Sequence, residues 1–218
     1  MTDYQSDANE AVNDLTDREI FSKIWFSPRE VFRYLSRHEY DKYVPLLLII
    51  GGISRTLDRA VEKSMGDDYS LVAILLISVF LGGLLGWISL YIYSVLMSWM
   101  GTWLGGKSDT KSVLRVLAHA LIPSLFSLIF VAVSIIIYGK EIFVSEPRYL
   151  GSIDGIILLV LGIIEIALSI WSFIVLVAGI SEIQSFSVGK ALLNVLLPGI
   201  VFVGLIMTIL IISTILVG

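Results

Sequence analysis

One stretch constrains this chain more than any other. Residues 70–104 run for 35 positions without a single Asp, Glu, Lys, Arg, His or Pro. Coiled as a helix they would measure about 52 Å, whereas a bilayer's hydrocarbon core is roughly 30 Å thick and about 20 apolar residues cross it. The run is long for one crossing and short for two. Two crossings need a turn near residues 82–86, inside LGGLLG, where no polar or charged side chain marks an exit to water. One overlong, tilted helix is therefore expected. Trp99 and Trp103 would sit at or beyond the inner interface, and about 20 Å of helix would project past the core on that side.

The remainder suits a membrane chain. It is 56% hydrophobic and only 16% charged, where soluble domains carry about a quarter charged residues. Cysteine is absent, which excludes disulfides, thiolate nucleophiles and Cys-based metal sites. Six acids fall in the first 19 residues, and they account for the net charge of −4. Residues 1–15 read as an acidic disordered tail, with neither the basic nor the apolar region of a signal peptide.

Two short helices are expected over residues 16–42. Thr16 with Glu19 and Ser27 with Glu30 both fit capping boxes, and Pro28 suits a first helical position. Aromatic and basic residues interleave there, as in amphipathic helices lying in the headgroup plane. The membrane domain covers residues 43–217, with spans near 43–64, 70–104, 120–138, 153–180 and 191–217. In the first span Arg55, Asp58, Arg59, Glu62 and Lys63 stand at helical spacings where acid and base can pair, and this polar end should emerge into water. Pro123 should kink the third span near its start, and Pro198-Gly199 should bend the fifth. The fold class is all-α: a polytopic transmembrane bundle of five spans. With the N-terminus inside, inner segments hold ten Lys and Arg against five outside, which favours a cytoplasmic N-terminus and an external C-terminus.

The order of several short motifs resembles a known family. Trp25-Phe26-Ser27-Pro28 precedes a short, polar-ended first span, and the long second span ends in Gly105-Gly106-Lys107. Ala118-His119-Ala120-Leu121-Ile122-Pro123 leads into the third span. Gly179-Ile180-Ser181-Glu182 precedes a Gly189-Lys190-Ala191 step into the fifth. Together, over residues 21–217, they resemble the Yip family of Ypt-interacting proteins. That resemblance implies five spans, a cytosolic N-terminus and a non-enzymatic role in membrane organisation or trafficking. The Asp-Leu-Tyr-Gly-Pro motif of eukaryotic members is missing, and Trp25 with Pro28 is similar to the prokaryotic branch. A bacterial or archaeal cytoplasmic membrane is therefore favoured over Golgi or endoplasmic reticulum, and the missing motif leaves the transfer of GTPase binding open.

Glu165 falls near the middle of the fourth span, where a charge costs a few kcal/mol. No basic residue lies at matching depth in spans two, three or five. A protonated Glu165 hydrogen-bonded to Ser89, Ser127 or a backbone carbonyl is expected, with Gly162, Ser169 and Ser172 on its face. We read this first as an interhelical polar contact. The alternative is a proton or cation site in a small transporter or channel component, with the Pro198-Gly199 bend in the pathway. Ser78, Gly82 and Gly86 form a small-residue packing stripe, and Ser124 and Ser127 belong to a similar seam, within the chain or in a homo-dimer. At the inner face Trp25, Pro28, Lys107, Lys111, Arg115, His119 and Glu182 are expected to form a surface for anionic lipid headgroups or a protein partner. No catalytic constellation, metal spacing, cofactor motif or nucleic-acid signature stands out.

Overall fold

The computed structural model of the chain describes residues 15–147 and 151–217, and nearly all of the expected acidic tail lies outside them. Two short helices come first: α1 (Asp17–Lys23) and α2 (Pro28–Arg37). The Thr16–Glu19 capping box forms in both directions, with the Glu19 amide donating to Thr16 Oγ1 at 3.4 Å and the Thr16 amide to Glu19 Oε2 at 2.9 Å. The second box does not form. Ser27 makes no side-chain cap, and Glu30 Oε1 instead accepts from Lys23 Nζ at 2.7 Å, tying α2 back to α1.

Four long segments and one bent one follow. They are α3 (Val44–Glu62), α4 (Leu71–Trp103), α5 (Thr110–Leu125), α6 (Ser127–Tyr138), α7 (Ser152–Gln184) and α8 (Val188–Val217). Helix α4 is continuous through LGGLLG, with one π-helical turn at Ser78–Gly82. Its 33 residues measure about 50 Å. Three helices (α4, α7 and α8) are long and apolar enough to cross a membrane, and α5 with α6 makes a fourth if the bent pair is one span. Helix α3 is not among them, because Arg55, Asp58, Arg59 and Glu62 occupy its second half. The bend between α5 and the segment from Ser127 is 42° and falls at Phe126, three residues past Pro123. Proline has no N–H for the preceding turn. Tighter bonds from Phe126 N to Pro123 O and from Ile129 N to Phe126 O, both 3.2 Å, take up the bend. By contrast α8 runs unbroken through Pro198, which is buried, with Gly199 exposed beside it.

Packing concentrates at one end. Ile20 of α1, Ile24 just after it, and Phe32 and Leu35 of α2 join Leu48, Met97, Val116, Ile180 and Val195 in one buried cluster, a cap built on the ends of the long helices. The far half is looser. Residues 199–214 of α8 are exposed at every position, and most of residues 153–171 of α7 carry exposed apolar side chains, as lipid-facing helices do. There a small second cluster of Leu57, Ala60, Ile74 and Phe143 holds α3 to α4 and to the 3-10 turn Gly139–Phe143.

The α3–α4 crossing is a close backbone approach that glycine makes possible. A Cβ added at Gly52 would fall 2.2 Å from the Gly82 carbonyl oxygen and 2.9 Å from Gly86 Cα. Backbone meets backbone, and only hydrogen fits between. This crossing sets the level of α3 against α4 and places the charged half of α3 beside the first half of α4.

Candidate functional site

Two regions gather the polar residues, one in the cap and one in the far half. In the cap, Asp41 accepts from Arg115 Nε at 2.7 Å and from Lys111 Nζ at 3.0 Å. Partial burial of Asp41 opposes its charged form, but the hydrogen bonds from Arg115 and Lys111 outweigh it and hold the carboxyl below its usual range. Asp17, the first residue of α1, is bound by Lys42, by the Tyr40 hydroxyl at 2.5 Å and by the Tyr43 hydroxyl at 2.6 Å. Lys42, then Tyr40 and Tyr43, keep its carboxyl far below the ordinary carboxylate range. Arg33 Nε donates to Glu182 Oε1 at 2.7 Å, joining α2 to the end of α7.

This arrangement divides the residues expected to form one open inner-face surface. Lys107 is exposed, and Lys111 is exposed but committed to Asp41. Arg115 is 3% exposed, and His119 is fully buried, with Nδ1 2.9 Å from the Arg115 carbonyl and Nε2 without a partner. The cause is visible in α5, where residues 115–120 are all buried. Residues 40–43 and α2 cover the basic face that headgroups would otherwise meet. Glu182 is occupied by Arg33, and Pro28 is half-buried at the start of α2. Trp25 packs edge-on against Phe126 at 5.1 Å, and its carbonyl accepts from Trp171 Nε1 at 3.2 Å. Asp41, the hinge of this network, carries no periodic signal; it lies in the short connection before the first long helix.

The far half holds an open-sided cavity of about 1030 Å³ between α3, α4, α5, α6 and α7. Glu165, Ser169, Ser127 and Ser89 all line it, as does Ser124. The expected hydrogen bond to Glu165 is not made. Ser89 Oγ donates to the Gly86 carbonyl at 2.8 Å and accepts from Arg55 Nη1 at 3.4 Å, while Ser127 Oγ donates to the Ser124 carbonyl at 2.7 Å. Ser124 is tied across to α7, its amide donating to Ser172 Oγ at 2.8 Å. The packing stripe lies elsewhere: Gly82 and Gly86 face Gly52, and buried Ser78 closes on its own helix, donating to the Ile74 carbonyl at 2.9 Å.

Charged residues of both signs share the cavity with Glu165. Arg55, Asp58, Arg59 and Glu62 of α3 line it too. Asp58 is close enough to Glu165 for their charges to interact, and Arg55 and Glu62 both act on Asp58. No ion pair closes among these five residues, although their spacing in α3 allows one. A depth count from span ends missed this cluster because it treated α3 as passing straight into water. The shared face of residues 55, 58, 59 and 62 was the available signal.

A helical bundle with lipid-facing halves, a capped end and a polar cavity between its long helices is an integral membrane protein. The Yip1 domain model matches residues 22–211, and the chain belongs to the Yip family. No curated protein and no solved structure matches it.

Proposed function

We propose that this chain is a five-span, non-enzymatic membrane protein with a cytoplasmic N-terminus. It acts in membrane organisation or trafficking by holding anionic lipid or a protein partner at its cap. In this reading α3 is the fifth span, its polar half sheltered from lipid by the glycine crossing with α4. The observation that carries the reading is the cap itself. Its internal charges are consumed in fixed pairs, while Arg29, Arg37 and Lys107 stand exposed with no ion-pair partner among the described residues, and Phe26 is 87% exposed at the turn between α1 and α2. That combination suits helices lying in a headgroup plane and presenting cations to it.

A photo-crosslinker placed at Arg37, with the same label at Glu146 as a far-end control, tests it. Protein or anionic-lipid adducts at Arg37 alone would support the reading; equal labelling at both ends would contradict it. The cavity favours a second reading, a small transporter component using Glu165. Pro198-Gly199 does not line that cavity, so the bend drops out of this alternative. Ion or proton flux in liposomes that Glu165→Gln abolishes would establish it.

A further inference from the structure

The cavity has two kinds of wall. Toward the far end stand Arg55, Asp58, Glu62 and Glu165, with Glu141 and Pro147 from the turn after α6; deeper in, the lining includes Leu117, Leu121, Leu125 and Leu176. Ionised groups at membrane depth are costly unless something complements them. Here both signs are present, and Arg55, Asp58, Arg59, Glu62 and Glu165 form no ion pair with one another among the described residues. A ligand of one sign would satisfy half of them and repel the rest. A ligand carrying an ammonium and a phosphate together would meet the carboxylates of Asp58 and Glu165 and the guanidinium of Arg55 at once. The volume, about 1030 Å³, lies at the upper end of the range for small-ligand sites and leaves room beyond a headgroup for part of an acyl chain.

The wall on the α7 side is also thin. Gly162 lines the cavity, and a Cβ added there would meet nothing within 4 Å; Ile166 and Ile170, one and two turns on, line it while remaining exposed. A chain-bearing ligand can therefore enter from the side, past α7, without crossing the tightly packed cap.

We propose that this cavity is a binding site for one zwitterionic amphiphile, with an ammonium-phosphate headgroup between Arg55, Asp58 and Glu165 and an acyl chain along the leucine wall. The site is independent of the cap surface, so either can fail without the other. The test uses the full chain in nanodiscs of equal phosphatidylethanolamine and phosphatidylglycerol, with native mass spectrometry counting the lipid retained as the disc is stripped. One phosphatidylethanolamine per chain should remain, whatever phosphatidylglycerol the cap retains. Glu165→Gln removes one charge-assisted contact and should reduce that retention about tenfold. Gly162→Leu fills open space and should do the same by blockage, with the melting midpoint unchanged in both variants. Gly204→Ala, exposed on α8 and outside the cavity lining, should leave the retention unchanged. Phosphatidylethanolamine retention equal in wild type and both variants, or no retained phosphatidylethanolamine, would overturn the proposal. So would tight binding of soluble phosphoethanolamine without lipid, which would make the ligand a water-soluble one.

Discussion

Removing Asp41 should cost more than removing the arginine it binds. Asp41→Ala leaves the Arg115 guanidinium, only 3% exposed, without its carboxylate, while Lys111, 63% exposed, turns to water. Breaking a buried pair by deleting one partner costs about 3–5 kcal/mol. Asp41 is itself 35% exposed, so water already screens the pair and the loss falls to about 2 kcal/mol. For a chain of this length that is a drop of about 4–8 °C in melting midpoint. Arg115→Met removes the buried charge and leaves a half-exposed Asp41 that still has Lys111, so its cost should stay below about 1 kcal/mol. The double variant should recover most of what Asp41→Ala loses. Thermal melts of detergent-purified protein, followed by loss of the monodisperse peak, measure all three. If Arg115→Met is as damaging as Asp41→Ala, and the double variant no better, burial of an unpaired guanidinium is not what holds the cap.

Three further outcomes follow from the same geometry. Gly52→Val drives side-chain atoms into the Gly82 and Gly86 backbones, so the melting midpoint should fall by an amount corresponding to about 3 kcal/mol or more, while Gly204→Ala, with nothing within 4 Å, should leave it unchanged. Asp17 and Asp41 are both held below the usual carboxylate range, so the unfolded chain takes up protons at a higher pH than the folded cap. Cap stability is therefore full above about pH 4 and is lost as pH falls through the folded values, which protease susceptibility of residues 38–43 across an acid series would report. Glu165→Gln should fold like the wild type, because no partner among the described residues depends on its charge; a melting loss above about 1 kcal/mol would show a structural role instead.

How much of this was legible beforehand differed by kind of evidence. Local signals transferred directly. The Thr16 capping box, the absence of a break in LGGLLG and the small-residue stripe of Gly82 and Gly86 each rest on short-range sterics or hydrogen bonding that a sequence states outright. Glu165, Ser169, Ser127 and Ser89 line one cavity, but the hydrogen bond expected to Glu165 is not made, because Ser89 and Ser127 bond to their own helices. What escaped depended on how helices sit against one another. The level of α3 beside α4 is set by Gly52, whose role appears only once its partner glycines are known. That level brings Arg55 to Ser89 and turns a polar helix end into a cavity wall. Likewise Arg115 and His119 occupy a face that looks solvent-directed by spacing, yet residues 40–43 and α2 fold over it. The second capping box does not form because Lys23, four residues before the cap, binds Glu30 instead.

The account turns on α4 crossing the bilayer once, so that the cap and the mouth of the cavity lie on opposite faces. The chain has no cysteine, and single substitutions make clean reporters. Arg37→Cys, Lys107→Cys and Lys140→Cys, each challenged with a membrane-impermeant maleimide in sealed right-side-out vesicles and again after permeabilisation, measure this directly. Positions 37 and 107 should label only after permeabilisation, and position 140 before it. Labelling of 107 before permeabilisation, on the opposite face from 37, would contradict the single crossing and, with it, the separation of cap from cavity.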